Sequence, residues 1–195
     1  MNREELFKLY ERQYFHEIDM REKLNSRLQL PIAALLALSG FLGYMLQNKN
    51  PDIGGGPSMI FWIFYLAALT AIGCALYFFR KSWFGPTDKL LPTAKTIEEY
   101  RNQLVDFYKD YENSGELVEK GLKDSLYNYY VEFSSVNTIN NDARSYNIYR
   151  TTVSLTVAMI LTFLTFLPYY FFRMDKSFGS GVQKVEITKP VTIKK

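Results

Sequence analysis

The residues that could carry covalent or metal chemistry in this 195-residue chain are few and poorly spaced for it. His16 is the single histidine and Cys74 the single cysteine, which excludes a multi-histidine metal site and a disulfide framework within one chain. His16 and Glu17 would open a His-Glu-x-x-His metal motif, but Met20 occupies the place of the second histidine. His16 therefore reads as one neutral imidazole on a surface helix. Cys74, between Gly73 and Ala75 in an uncharged stretch, reads as a small packing residue and not a nucleophile. Gly54-Gly55-Gly56 lacks the Lys-Ser/Thr that completes a phosphate loop. Glu98 and Glu99 are adjacent and leave a helix on different faces, so they do not pair as acid and base. No Ser/His/Asp or Cys/His set can be assembled, and the expectation is a non-enzyme with no cofactor and no metal.

What the chain does have is apolar length. Residues 31–47, 59–79 and 151–172 are uncharged runs of 17, 21 and 22 residues. About 20 apolar residues at 1.5 Å rise span a bilayer core, so the second and third suffice. The first is extended by Leu28 and Leu30, with Arg27 able to snorkel. Aromatic residues gather at the block ends, as interfacial belts do: Trp62 and Tyr65, Tyr77 to Phe79 with Trp83, and Tyr169 to Phe172. The mean hydropathy of −0.13 hides this, because all 43 Lys, Arg, Asp and Glu lie outside the three runs. Fifteen Phe, fifteen Tyr and two Trp are too many for a disordered chain. A net charge of +3 is too small to call for nucleic acid, and no direct nucleic-acid partner is expected. Twelve charges precede the first run, unlike the short basic region of a signal peptide.

The elements around these runs set the topology. Residues 48–58 (NKNPDIGGGPS) read as a flexible turn between two antiparallel spans. Residues 1–30 hold six Lys/Arg and residues 80–150 hold ten, so the positive-inside rule puts both in the cytoplasm and the turn outside. Three spans then carry residues 174–195 outside, against that tail's own five lysines. In the tail, Val185, Ile187, Val191 and Ile193 alternate as an edge strand would, but a loose basic tail is the reading preferred here.

Helical periodicity fills the rest. Leu6, Tyr10, Tyr14 and Ile18, resumed by Leu24 and Leu28, mark an amphipathic helix with a kink near Pro31. Residues 83–92 (WFGPTDKLLP) are a Gly/Pro linker at the membrane surface. Thr96 with Glu99 suggests a capping box, and Ile97, Tyr100, Leu104, Phe107 and Tyr111 step as a coiled-coil heptad that Asn113-Ser114-Gly115 would end. A second helix steps through Leu122, Leu126, Tyr129, Phe133 and Val136, then has Asn140 where a hydrophobe is wanted, Ala143, and Asn147 again. Nothing breaks it from Leu122 to Leu167, so the third span should prolong it. Arg101, Lys109, Lys120 and Lys123 belong to a charge-balanced solvated face, since residues 80–150 hold eleven acids against ten bases.

The expected fold is thus an all-α membrane protein of three transmembrane helices with a cytosolic helical stalk. Its parts are an N-terminal amphipathic helix (1–30), a transmembrane hairpin (31–80), a cytosolic helical hairpin (81–150), a third span (151–173) and a basic tail (174–195). Small residues four apart, Ala33/Ala37, Ser39/Gly43 and Ala67/Ala71/Ala75, permit close transmembrane packing. Thr152, Thr156, Thr162 and Thr165 are candidate pore-lining residues, each of which could instead bond its own helix's carbonyl one turn back. Leu104, Phe107, Leu122, Leu126, Phe133, Asn140 and Asn147 are the candidate stalk seam, serving packing within the chain or between copies. No charge lies inside a span, so a proton relay, voltage sensor or ion-coupled transporter has no anchor.

The layout of a charged helix over residues 10–31 (YERQYFHEIDMREKLNSRLQLP), two closely spaced spans and a helical cytosolic segment resembles the small bacterial membrane effectors of anti-phage defence. These include SLATT-type proteins and membrane proteins of retron and CRISPR loci, although a third span departs from the two-span SLATT pattern. The resemblance implies a homo-oligomer of the bacterial inner membrane that permeabilises or depolarises the membrane when triggered; the charge count above puts its N-terminus in the cytoplasm. Its expected partners are the lipid bilayer, other copies of itself and a soluble defence-system protein. The alternative is a non-enzymatic adaptor whose stalk docks a soluble partner.

Overall fold

The computed structural model describes residues 1–179 and is all-α. The helices are α1 (Arg3–Arg27), α2 (Gln29–Asn48), α3 (Gly55–Trp83), α4 (Ala94–Tyr108) and α5 (Ser114–Phe171), followed by a 3-10 turn, Lys176–Gly179. Among the described residues there is no strand, only an isolated antiparallel bridge between Lys49 and Asp175. Three helical stretches are long and apolar enough to cross a membrane: Arg3–Asn48, Gly55–Trp83 and Ser114–Phe171. The basic tail beyond residue 179 and its alternating Val/Ile residues lie outside the described residues.

Local chemistry explains the boundaries. Asn2 and Glu5 close a reciprocal capping box at the start of α1. Proline cannot donate to the carbonyl four residues back and its ring clashes with it, so Pro31 ends α1 at Arg27. The break falls at Leu28, one turn ahead of the proline and near the expected kink. The cap of α4 is Thr93, whose hydroxyl accepts from the Thr96 amide, and not Thr96. Glu99 pairs with Lys95 instead of closing a capping box. Asn113-Ser114-Gly115 opens α5 where it was expected to close α4; α4 has already ended at Tyr108. The long helix is found as expected and is longer still, 58 residues, with Pro168 in its final turn.

The described chain divides into two compact units, residues 1–32 with 76–152, and residues 33–75 with 153–179. The first unit is α1, α4, the end of α3 and the first two-thirds of α5. Its core is aromatic: Tyr14, Tyr130 and Phe133 are buried, with Phe7, Tyr10, Ile18, Leu91, Leu126 and Tyr129 packed around them. Phe7 meets Tyr130 edge-on at 5.5 Å and Tyr10 meets Tyr127 at 5.6 Å, the geometry ring quadrupoles favour. Gly121 lets α4 approach, because a Cβ there would stand 3.2 Å from Leu104.

The second unit packs by heptads. On α3 the buried residues are Phe61, Tyr65, Ala68, Ile72 and Ala75; on α5 they are Leu155, Ala158, Thr162, Thr165 and Tyr169. Both series alternate steps of four and three, the spacing of interdigitating helices. From α2, Leu35, Leu42 and Met45 complete the interior. Phe133→Ala should cost roughly 3 kcal/mol by opening a cavity in the aromatic core. The check is denaturant unfolding of the detergent-solubilised chain, followed by circular dichroism.

Candidate functional site

Between α3 and α4, residues 85–93 have no regular structure. Their backbone cannot satisfy itself, yet buried N–H and C=O groups require partners. Side chains of α5 and α1 supply them. Arg144 Nη2 donates to Pro86 O at 2.6 Å and Asn140 Nδ2 to Thr87 O at 3.1 Å. Asn137 clasps Lys89 at both ends: its Nδ2 donates to Lys89 O at 3.0 Å, and Lys89 N donates to its Oδ1 at 2.8 Å. Leu91 N then donates to the Tyr14 hydroxyl at 3.1 Å. The register follows from geometry. Three extended residues from 86 to 89 cover about 10 Å, as do the two helical turns from 144 back to 137.

A charged network lies beneath this ladder. Asp88 Oδ1 accepts from Arg144 Nη1 at 2.8 Å, and Arg21 Nε stands 3.0 Å from Asp88 Oδ2. The Arg21 approach is close enough for ion pairing but not aligned for a hydrogen bond, so Oδ2 has none. Arg144 Nη1 also donates to Asn141 Oδ1, and Asn141 Nδ2 donates to the Glu17 carboxylate and carbonyl at 2.9 and 2.8 Å. Two carboxylates and two guanidinium groups thus balance. The Asp88 and Arg144 side chains are 2% and 7% exposed. Such a pair must be complete, because either partner alone would be a buried charge. The network leaves no nucleophile facing an open cleft; what it can do is clamp. Among the described residues no group of three or more His, Cys, Asp or Glu is placed to hold a metal.

The residues expected from sequence are distributed as follows. Leu122 and Leu126 are half-buried, Phe133 and Asn140 buried, and Asn147 half-buried, turning its amide to Ala143 O on its own helix. Leu104 faces α5, while Phe107 is 69% exposed. Of the transmembrane packing residues, Ala75 is buried and Ala67 and Ala71 are half-buried, whereas Ala33, Ala37, Ser39 and Gly43 are exposed. The four threonines do not share a face: Thr152 and Thr156 are exposed, Thr162 and Thr165 buried. Thr152 and Thr165 bond the carbonyls of Ile148 and Leu161, one turn back. Thr162 Oγ1 is buried with no hydrogen bond.

Sequence reading missed Glu17, Arg21, Asp88, Asn137, Asn141 and Arg144. One signal was available: Asn137, Asn140, Asn141 and Arg144 repeat polar side chains on one helix face where a hydrophobic seam was expected to continue.

The second unit holds another polar cluster. Asp175 Oδ2 accepts from the Tyr169 and Tyr44 hydroxyls at 2.9 and 3.3 Å. Asn50 N donates to Met174 O at 2.6 Å, and Lys176 Nζ to Gln47 O at 2.9 Å. These contacts fasten the segment after α5 to the α2–α3 turn. Hydrogen bonds from the Ser177 backbone and side chain, then from Tyr169 and Tyr44, hold the Asp175 carboxyl below its usual pKa.

Three outcomes follow. Arg144→Met should destabilise the chain by roughly 3–5 kcal/mol by stranding Asp88, and adding Asp88→Leu should recover part of that loss, both read from unfolding midpoints. Thr162→Val should be neutral or stabilising by about 1 kcal/mol, because it removes an orphaned hydroxyl, whereas Thr165→Val loses a made bond. Because the folded pKa of Asp175 is depressed, its contribution is complete above the unfolded value of about 3.9 and is lost as pH falls through the folded one. Protection of the Asn50 amide should therefore collapse in that acid range, and Asp175→Ala should remove the pH dependence.

The chain matches no protein-family model, no curated protein and no solved structure.

Proposed function

We propose that this is a membrane effector whose copies associate through their spans and permeabilise or depolarise the membrane on activation. The observation that carries the reading is how little of each candidate span the chain covers by itself. Only 28%, 28% and 33% of the three most apolar windows is buried. On α2 the small residues Ala33, Ala37, Ser39 and Gly43 all face outward, with open space where a Cβ would stand at Gly40 and Gly43. Close backbone approach at such residues is what drives helix association in lipid, where no hydrophobic force distinguishes neighbour from solvent. The resemblance to bacterial anti-phage effectors supplies the setting, an inner-membrane homo-oligomer answering a soluble partner, and the excess of Lys and Arg in residues 1–30 and 80–150 favours a cytoplasmic N-terminus.

A second reading, a membrane adaptor, is favoured by a specific feature of α4. No residue of that helix is buried, and Tyr100 and Phe107 lie 38% and 69% exposed along it, with Tyr111 54% exposed in the turn that follows. That surface suits a soluble protein partner.

Induced expression in bacteria carrying a potential-sensitive dye separates the two. The effector reading expects depolarisation and a detergent-solubilised ring of four or more chains, with Gly40→Leu/Gly43→Leu lowering both while helix content stays constant. Retained potential and a monomer or dimer, with loss of a captured partner on Phe107→Ser, would replace it with the adaptor.

A further inference from the structure

The chain passes between its two units after residues 32, 75 and 152, each time inside a candidate span or at its edge. The first-unit stretches bordering those passages have an unusual charge pattern. Residues 23–32, 76–87 and 143–152 contain Lys23, Arg27, Arg80, Lys81, Arg144 and Arg150 and not one Asp or Glu. Arg144 is committed to Asp88. The other five are exposed, and among the described residues none has a carboxylate at ion-pair distance. At the other end of the same unit the pattern reverses: Arg3 pairs with Asp124, Lys123 with Glu4, Arg101 with Glu98 and Lys95 with Glu99.

The three bordering stretches lie side by side within the first unit. Ser82 Oγ donates to Arg144 O at 3.3 Å, and the Arg150 guanidinium sits over the Phe78 ring at 4.9 Å. Arg21 reaches Asp88, and α1 needs under two further turns to arrive at Arg27. Lys81 stands over the Tyr77 ring at 4.9 Å. The same band exposes Leu30, Trp83, Phe84, Tyr146 and Tyr149 at 78%, 51%, 76%, 59% and 64%. The nearest linker carboxylate, Asp88, has been withdrawn into the interior, so within these stretches the exposed charges are all positive and stand among exposed apolar side chains; the exposed acids Glu22 and Asp142 lie at their outer borders.

We infer that this band is a collar for the phosphates of anionic phospholipids. Exposed aromatics beside unpaired Arg and Lys match the chemistry of a headgroup layer, where phosphate meets cation while glycerol and upper acyl carbons meet the rings. A soluble anion would neutralise the cations but leave five large apolar side chains in water. Positive charge near spans is general; what this chain adds is the withdrawal of Asp88 into the interior, which leaves the exposed cations of the linker end without that acid beside them. The collar rests on the membrane reading and would hold for effector and adaptor alike.

The test reconstitutes the full chain in vesicles of phosphatidylcholine with a minority of phosphatidylglycerol, extracts it gently and identifies the retained lipids by native mass spectrometry. Phosphatidylglycerol should be enriched over its bulk fraction. Arg27→Gln/Arg80→Gln/Lys81→Gln/Arg150→Gln should reduce that enrichment at least roughly threefold. The charge-keeping set Arg27→Lys/Arg80→Lys/Lys81→Arg/Arg150→Lys should preserve it, as should Lys95→Gln/Lys109→Gln/Lys120→Gln at the far end. Retention in proportion to bulk composition, or unchanged enrichment in the quadruple Gln variant, would overturn the collar. Release of the wild-type chain from vesicles by alkaline carbonate would remove the membrane reading itself, and the collar with it.

Discussion

The first unit depends on one requirement: an unstructured linker laid between helices must have its backbone polar groups met by side chains. Arg144, Asn140 and Asn137 meet those of Pro86, Thr87 and Lys89 in succession, and Tyr14 meets that of Leu91. Each of these bonds is modest in net energy, but leaving its partner unmade would cost more. That asymmetry explains why the face of α5 turns polar here. It also explains the ion pair, since Asp88 enters the interior with the linker and must find Arg144 and Arg21 there.

The second unit solves a different problem with few polar groups. Its interior is a heptad stack of aromatic, aliphatic and small residues, with threonine hydroxyls mostly returned to their own helix. In a setting without water, a hydroxyl that bonds the preceding turn behaves as a near-apolar packing element. Polar closure is found beyond the helix ends, where Asp175 gathers two tyrosines and the α2–α3 turn is fastened to the chain leaving α5. That fastening puts the start of the tail beside residues 49–50, as three crossings in alternating directions require.

Much of the architecture was legible in sequence. Uncharged runs reported the apolar helices, an unbroken pattern reported the continuity of α5, and the every-fourth-residue stripe of Leu6, Tyr10, Tyr14 and Ile18 reported the buried side of α1. Boundaries were legible only to within a few residues: Thr93 and Thr96 are equally good caps on paper, and only the fold selects between them. The heptad in α4 divides in the single chain: a short helix packed on one neighbour buries Ile97 and Leu104 partly and leaves Tyr100 and Phe107 outside.

Composition and periodicity by themselves determined that this chain is helical, that three of its segments suit a bilayer, and that its single histidine and single cysteine confine its chemistry. These are local properties, fixed by side-chain type and by repeat length. Only tertiary structure decided that Asp88, alone in a Gly/Pro linker, is buried between Arg21 and Arg144, that the asparagines of α5 read backbone and not one another, and that five of the six cations bordering the spans have no carboxylate at ion-pair distance among the described residues. Those outcomes depend on which residues meet across dozens of intervening positions, and no period in the chain encodes such meetings.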